Sequence, residues 1–435
     1  MAEHERVKRA SGTGAQATGK LDAVAPARKH QYGVLPSGCV MSLTLSPEIS
    51  YVLLVFGLFV VPRGLQRFRL PSAVTCVGIG ATFSIGFDLF HDDATVGLLA
   101  TMGIVSMFLF AGLEVDFAEL RQGRKVLLQH IAAQLLLLAL GGVAFHYAFG
   151  LEARSALLFA LAVFTPSTGF ILDSLPELGL TNEERFWVKS KAIASELVAL
   201  LVMFLTIQST DAATLGLSAS ALTAMVLFLP PLFRAFARVI VPFAPKTEFT
   251  FLVIVALLCA FITRELGVYY LVGAFVVGLT AVRLRKDLPE LSSEKLLGAV
   301  ELFASFFIPF YFFKAGLHLR ADQFSWKALA IAVALLLTVL PIRVLRVAGH
   351  RKLALHEPWR VGARIGTAVL PTLVFTIVIA EILTERFALP PVLFGALIVF
   401  TLANTVLPGI VLRLPVPEFE TPEIPRTAEQ EPGPR

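Results

Sequence analysis

Two stretches of the sequence decide the fold: AVFTPSTGFIL at residues 162–172 and TAVLPTLVFTI at residues 367–377. Each places a proline inside an apolar run, where proline removes a backbone donor and clashes with the preceding helical turn. Pro166 and Pro371 therefore predict breaks in two helices, and Gly169 loosens the first break further. Hydroxyl groups beside the prolines can satisfy the freed backbone or coordinate a cation: Thr165, Ser167, Thr168 and Thr372.

The composition identifies a membrane protein with several spans. Of 435 residues, 56% are hydrophobic and 16% are charged, whereas soluble domains contain about 25% charged residues. The basic residues behind the net charge of +5 lie mostly in short loops between apolar runs, a pattern that favours membrane orientation over nucleic-acid binding. The three cysteines have no metal or redox spacing, so we predict no cofactor and no metal.

A membrane span needs about 20 mostly apolar residues. This criterion predicts about thirteen spans in an all-α transmembrane domain at 47–413, between a disordered polar N-terminal tail (1–46) and a solvated Pro/Glu-rich C-terminal tail (414–435). The spans are predicted at 47–61, 70–87, 94–114, 126–149, 152–174, 185–208, 214–240, 248–264, 268–284, 297–318, 326–348, 361–384 and 391–413.

The loops after odd-numbered spans are rich in Lys and Arg, and those after even-numbered spans are poor in them. The positive-inside rule then places the odd loops and the C-terminus in the cytoplasm. The basic tail before Met41 contradicts this orientation, and a translation start at Met41 would remove the conflict. We expect a multi-pass protein of a bacterial inner or plasma membrane.

An internal repeat is indicated by two landmarks. Ala-Gly-Leu recurs in FLFAGLEVDFAEL (108–120) and FFKAGLHLRADQF (312–324) with an offset of 315 − 111 = 204, and the two prolines have an offset of 371 − 166 = 205. Seven spans separate the copies, so their orientations are opposite, and inverted repeats with interrupted helices are typical of secondary transporters. The predicted parts are repeat one (47–208), a linker helix (214–240) and repeat two (248–413).

Glu196 lies near the middle of the apolar run VKSKAIASELVALLVMFLTIQ, residues 188–208. A charged residue at that depth is costly and usually faces a cavity or a partner. It could form a structural ion pair with Lys191 or Lys189, or it could bind a proton and a cation in turn. Arg343 is either a partner of such a site or a side chain that snorkels to the membrane edge.

Three segments resemble the monovalent cation:proton antiporter superfamily, most closely its Kef-type group: AGLEVD (111–116), TPSTGFILDSLPELGL (165–180) and KAIASELVALLVMF (191–204). The resemblance covers 47–413 and implies the Na⁺/H⁺ antiporter fold, with crossed broken helices, a moving core and a dimerising scaffold. It places Ser195-Glu196 at the pair that binds the cation in relatives, and Arg343 at a basic position. The chain departs from the family pattern because Ser-Glu replaces an Asp-containing pair.

We therefore expect a secondary active antiporter that exchanges protons for Na⁺ or K⁺ by alternating access. Exchange at a single carboxylate, Glu196, predicts electroneutral transport. Such a protein would serve pH homeostasis or potassium efflux, and the resemblance implies a homodimer in the lipid bilayer without nucleic acid. A cation channel of the same fold and an organic-anion symporter are the alternatives. An enzyme is not expected, because no nucleophile elbow, metal-ligand set or phosphate-binding loop is present, and the Gly-x-Gly at 78–80 is interpreted as packing.

The expected ion site comprises Glu196, Ser195, Thr165, Ser167 and Thr168, with Arg343 or Lys191 as the basic partner and Pro166, Gly169, Pro371 and Thr372 in the broken helices.

Overall fold

The computed structural model describes residues 46–87, 90, 92–115, 117–209, 211–244, 247–267, 270–284 and 293–412. Within these ranges the chain is helical and forms no strand. The two predicted tails lie outside the described residues, apart from Ser46. The chain divides into a unit Met1–Ile49 and a unit Ser50–Arg435, and the packing and the sites below belong to the second unit.

The α-helices follow one another closely along the chain. They begin with α1 (Pro47–Leu65), α2 (Ser72–Thr82), α3 (Ala94–Leu113), α4 (Phe117–Gln122), α5 (Arg124–Phe149), α6 (Ala153–Phe164), α7 (Thr168–Ser174) and α8 (Asn182–Gln208). They continue with α9 (Ala212–Val239), α10 (Glu248–Glu265), α11 (Tyr270–Arg283), α12 (Glu294–Leu317), α13 (Trp326–Leu355), α14 (Trp359–Ala368), α15 (Leu373–Phe387) and α16 (Pro391–Val411).

Every predicted span coincides with one helix or with one broken pair of helices. The largest difference is at α13, which continues to Leu355, and the short helix α4 was not predicted because it holds only six residues. In the part of the chain that the structure describes, nine helices are long and apolar enough to cross a membrane, or ten if α14 and α15 count as one bent span. Helices α2 and α11 are apolar but shorter. The chain is thus a multi-pass membrane protein.

The outer faces of the helices carry the apolar side chains that a lipid-facing surface requires. Leucines on four different helices are more than half exposed, whereas the centre of the bundle is filled by buried Phe, Leu, Val and Ala. This distribution is the one expected when hydrocarbon surrounds the bundle, because burial from water no longer decides which face is apolar. The exposed leucines include Leu136, Leu201, Leu227 and Leu337.

The helices pack into two groups. The core group consists of α5, α6, α7, α8, α13, α14, α15 and α16, in which α6 lies against α15 and α13 lies against both α14 and α16. The scaffold group consists of α2, α3, α10, α11 and α12, in which α3 contacts both α11 and α12. Each group takes matching spans from both predicted repeats, so the bundle is built from halves of two repeats rather than from two separate repeats.

Two glycine pairs show the repeat in the scaffold group. Gly112 of α3 lies against Gly278 of α11, and Gly316 of α12 lies against Gly80 of α2. In each pair an added Cβ would approach the opposite glycine Cα to about 3 Å, at 3.0 Å for Gly112 and 2.9 Å for Gly316. Gly112 and Gly316 are the glycines of the two Ala-Gly-Leu landmarks, so corresponding residues make corresponding contacts. Small residues allow this close backbone approach between membrane helices.

We predict that Gly80→Ala destabilises the protein and that Gly78→Ala, two residues earlier in the same helix, does not. A Cβ on Gly80 would collide with the Phe313 carbonyl oxygen, whereas a Cβ on Gly78 meets nothing within 4 Å. Overpacking against backbone costs about 1–3 kcal/mol, and an exposed helical Gly→Ala change is favourable by about 1 kcal/mol. Thermal unfolding in detergent measures both variants. Equal melting temperatures would show that α2 and α12 can separate without loss.

Candidate functional site

The two broken helices meet at their breaks. Pro166 lies in the extended residues between α6 and α7, and Pro371 lies between α14 and α15. The backbone N–H of Ser167 donates to the Pro371 carbonyl at 2.8 Å. The Thr376 hydroxyl donates to the Ala162 carbonyl at 2.8 Å. The breaks therefore form one unit in the interior of the core group.

Arg343 joins the carbonyl ends of the two broken helices. Its guanidinium donates to the Val163 carbonyl at 3.3 Å and to the Val369 carbonyl at 2.7 Å, one near the end of α6 and the other at the end of α14. Gln134 adds a third donor, at 3.3 Å from the Phe164 carbonyl. A cation at helix C-termini satisfies orphan carbonyls and favours the helix dipoles. With its side chain 3% exposed, Arg343 does not snorkel to the surface.

Glu196 is buried in α8, with 2% of its surface exposed. A capping box fixes the start of this helix: Glu184 N–H donates to Thr181 Oγ1 at 3.2 Å, and Thr181 N–H donates to Glu184 Oε2 at 2.9 Å. Glu184 also pairs with Arg364 of α14 at 3.0 Å. These contacts hold α8 against the second broken helix and so set the position of Glu196.

The Glu196 carboxylate faces the side chain and the backbone of Thr168, the first residue of α7. Its Oε2 atom has no hydrogen-bond partner among the described residues. Neither lysine on the same helix pairs with it, because Lys189 Nζ binds Glu114 at 2.8 Å and Lys191 Nζ lies 3.5 Å from His130 Nδ1. Glu196 is thus a buried carboxylate without an ion-pair partner in the described part of the chain.

Other oxygen atoms around the breaks are also unsatisfied within the described residues. They are Thr165 Oγ1, Thr168 Oγ1 and Asn404 Oδ1, all buried. The amide nitrogen of Asn404 donates to Thr372 Oγ1 at 3.0 Å, which holds α16 against the second break. Buried polar atoms are normally hydrogen-bonded, and oxygen atoms without donors are what a hard cation or an added proton can use.

The structure separates the predicted site residues into different surroundings. Thr165 and Thr168 lie on either side of the first break, with Pro166 and Ser167 between them. Gly169, in the first turn of α7, lies close to Met107. The Ser195 hydroxyl, in contrast, lies 2.9 Å from His130 Nε2. Thr372 binds Thr401 Oγ1 at 3.0 Å.

Several residues of the site were not found by sequence reasoning. They are His130, Thr376, Thr401 and Asn404, which are polar residues within apolar spans. A polar side chain in an apolar span was the available signal, but Ser and Thr hydroxyls also bond their own helix. Within the described residues, no three His, Cys, Asp or Glu side chains cluster as a metal site.

The transmembrane model of the sodium/hydrogen exchanger family matches residues 52–417. The chain belongs to the sodium/hydrogen exchanger family. A match of this extent covers every helix from α1 to α16 apart from the first residues of α1, so the crossed breaks and Glu196 lie inside the family's transmembrane domain.

Individual relatives agree with the family. This exchanger-family chain is 25% identical over 270 residues to "Probable Na(+)/H(+) antiporter 3" of Methanocaldococcus jannaschii, a match of 60% of this chain and 68% of the relative. It is 23% identical over 298 residues to "Na(+)/H(+) antiporter NhaS5" of Synechocystis, covering 66% of this chain and only 42% of that protein. The solved structure of the sodium proton antiporter MjNhaP1 from Methanocaldococcus jannaschii matches with a TM-score of 0.62 at 12% identity, over 84% of this chain and 95% of that one. This last likeness concerns the fold alone.

Proposed function

We propose that this protein exchanges protons for a monovalent cation, Na⁺ or K⁺, with Glu196 as the group that binds both. The observation that carries the proposal is the position of Glu196: a buried carboxylate without an ion-pair partner in the described residues, beside two broken helices that meet. Membership of the exchanger family and the names of its relatives support cation:proton antiport.

Two occupants can satisfy the carboxylate in turn. When protonated, Glu196 can donate a hydrogen bond to Thr168 Oγ1, which faces it and has no hydrogen-bond partner among the described residues. When ionised, Glu196 can bind a cation together with the hydroxyl oxygens of Thr165 and Thr168, an oxygen set that suits a hard cation. The two states exclude each other, because a protonated carboxyl group no longer neutralises the cation. Because the proton and the cation cannot occupy this single site together, binding of one requires release of the other, and the result is exchange.

The ligand set of this proposal differs from the set expected from the sequence, because it omits Ser195 and Ser167 and adds Asn404. Ser195 is left out, because its hydroxyl is already bonded to His130 Nε2. Asn404 is a further oxygen donor on the side of the second break, since its Oδ1 atom is buried and unsatisfied among the described residues.

A single exchangeable carboxylate makes the cycle electroneutral in this proposal. One proton carries one charge in one direction, and one monovalent cation carries one charge in the other. Arg343 does not alter this balance, because its guanidinium stays bonded to the Val163 and Val369 carbonyls. That engagement also disfavours the organic-anion symporter, which would need a free basic group facing the break.

Alternating access follows from the two helix groups. The core group carries Glu196 and both breaks, and the scaffold group packs around α3. Movement of the core group past the scaffold group would expose the site to each side of the membrane in turn. The C-terminus faces the cytoplasm in this proposal, because the Lys/Arg-rich loops follow the odd-numbered spans.

We predict cation-driven proton flux that does not change with membrane voltage. The purified protein is reconstituted in vesicles with an internal pH dye, and Na⁺, K⁺ or Li⁺ is added outside with a potential clamped by valinomycin or left at zero. Equal initial rates at both potentials are expected for Na⁺ or Li⁺, since no net charge moves. A clear voltage dependence would contradict electroneutrality. Cation flux that persists without proton movement at clamped pH would instead favour the channel.

A further inference from the structure

A second buried polar cluster lies beside the Glu196 site. Lys191 of α8 is 1% exposed and His130 of α5 is 3% exposed. The Nζ atom of Lys191 lies 3.5 Å from His130 Nδ1 and 3.3 Å from Nδ1 of His350, on α13. Three helices of the core group therefore bring one lysine and two histidines into contact.

The cluster continues in both directions as a chain of polar contacts. On one side, His130 Nε2 lies 2.9 Å from the Ser195 hydroxyl, and Ser195 is the neighbour of Glu196 in α8. On the other side, His350 Nε2 lies 3.1 Å from Oε1 of Gln129, whose side chain is exposed. The chain thus connects the surface of the protein with the residue next to the proposed exchange site. Its exposed end lies where α5 and α8 begin and α13 ends, the side expected to be cytoplasmic.

The charges around Lys191 show that the cluster is not an ordinary ion pair. The groups that face it are Arg346, Arg351 and Glu357, besides the two histidines. Glu357 is bonded to Arg351, with 2.7 Å between Oε2 and Nε, and Arg351 also lies over the Trp187 ring at 4.9 Å. Glu357, the carboxylate whose charge acts on Lys191, is therefore already engaged, and Lys191 has only imidazole nitrogens within bonding distance among the described residues.

The hydrogen-bond directions leave room for one mobile proton. The Oε1 atom of Gln129 can only accept, so His350 carries its hydrogen on Nε2 and presents the lone pair of Nδ1 to Lys191. His130 also presents Nδ1 to the same ammonium group. If either Nδ1 were protonated while Lys191 kept its charge, two donors would face each other. The excess proton therefore resides on Lys191 or on one histidine, and not on two of them together.

We propose that His350, Lys191 and His130 form a relay that carries protons between the surface at Gln129 and Glu196, apart from the path of the cation. In the forward direction an N–H bond of the Lys191 ammonium breaks and a new one forms at His130 Nδ1. The imidazolium then releases its Nε2 proton to the Ser195 hydroxyl, which passes its own proton toward the Glu196 carboxylate. His350, which is only partly buried, takes up a proton from the surface at Nδ1 and donates it to the neutral Lys191 amine, which restores the ammonium group and the Nε2–H form of His350. His130 is left protonated at Nδ1 alone, and a change of tautomer before the next turnover completes the cycle without a gain of net charge. This inference rests on the proposed function.

The test compares two reactions of the same protein in reconstituted vesicles. Cation/proton exchange needs the relay, whereas exchange of radioactive Na⁺ against unlabelled Na⁺ does not, because Glu196 then stays ionised. We expect Lys191→Met to slow cation/proton exchange about 100-fold, the scale on which positioned proton donors and acceptors act. Sodium/sodium exchange in the same variant should stay close to the wild-type rate. The matched control is Lys352→Gln, at an exposed lysine of α13.

A second variant, His350→Ala, tests the relay independently in case Lys191→Met does not fold. His350 is only partly buried, so His350→Ala leaves a gap that imidazole can enter from solution. We expect His350→Ala to lose cation/proton exchange and to regain it with added imidazole, while His356→Asn, at an exposed histidine of the same end, changes neither reaction. Equal loss of both reactions in the variants, or normal cation/proton exchange in them, would overturn the relay alone. Absence of both reactions in the wild-type protein would overturn the proposed function and the relay with it.

Discussion

Glu196→Gln is expected to abolish cation/proton exchange in reconstituted vesicles. The amide has the size of the carboxyl group, so the packing of α8 is retained, but it neither ionises nor takes up a proton. Its oxygen cannot neutralise a bound cation, and both halves of the proposed cycle are lost together. A fall of at least about 100-fold, into the background of protein-free vesicles, is expected when the carboxylate proposed to bind both the proton and the cation is removed.

Measurements of cation binding and of thermal stability distinguish this loss of exchange from misfolding of the variant. A cation that binds only the folded state raises the melting temperature of the wild-type protein, and this rise should disappear in Glu196→Gln. Without cation, the variant should melt no lower than wild type, because a buried neutral amide is less costly than a buried unpaired carboxylate. Glu114→Gln is the matched control, since it removes a carboxylate paired with Lys189 at 2.8 Å. Robust cation-driven proton flux in Glu196→Gln would contradict the assignment of the carboxylate.

The conservative variant Glu196→Asp tests the length of the carboxylate side chain. It shortens the side chain to the aspartate that the resemblance to the antiporter superfamily implies for this position, with Ser195 still bonded to His130. The shorter side chain draws the carboxylate back from Thr168, which now faces it. We expect exchange to persist at a reduced rate and with weaker cation binding.

The helices could be predicted from the sequence because their causes are local. An apolar run of about 20 residues has few alternatives in a bilayer. A proline alone does not mark a break, because Pro309 and Pro341 lie inside continuous helices. Pro166 and Pro371 are distinguished by the hydroxyl residues beside them and by their matching positions in the two predicted repeats. The Ala-Gly-Leu landmarks also correspond in the structure, since Gly112 and Gly316 make similar contacts in the scaffold group.

The partners of the charged residues could not be predicted, because they depend on contacts between distant parts of the chain. Lys191 meets His350, which lies 159 residues away, and helical spacing on α8 suggested Glu196 instead. The role of Arg343 was open for a similar reason. Its position near the end of a span fits both a buried and a snorkelling side chain, and only the carbonyl ends of α6 and α14 decide between them.

Arg343→Met should be the most destabilising single change in the core group. It leaves the Val163 and Val369 carbonyls without this donor in the protein interior, and each buried group left unsatisfied costs about 1–3 kcal/mol. The stability of Arg343→Lys should lie between those of the wild-type protein and Arg343→Met, because one ammonium group cannot reproduce the planar guanidinium that reaches two carbonyls. Melting temperature and exchange rate are expected to follow the order Arg, Lys, Met. Arg320→Gln, at an exposed arginine paired with Asp322, serves as the control.

A double variant distinguishes this bridging role from the alternative in which Arg343 is the counter-ion of Glu196. If the two charges stabilised each other, removal of both would be less harmful than the sum of the single changes. The contacts of Arg343 are with carbonyl oxygens, and Glu196 faces Thr168. The effects of Arg343→Met and Glu196→Gln on unfolding should then add to within about 0.5 kcal/mol, as they do for sites that share no partner. A strong rescue in the double variant would instead show that the two charges act as a pair.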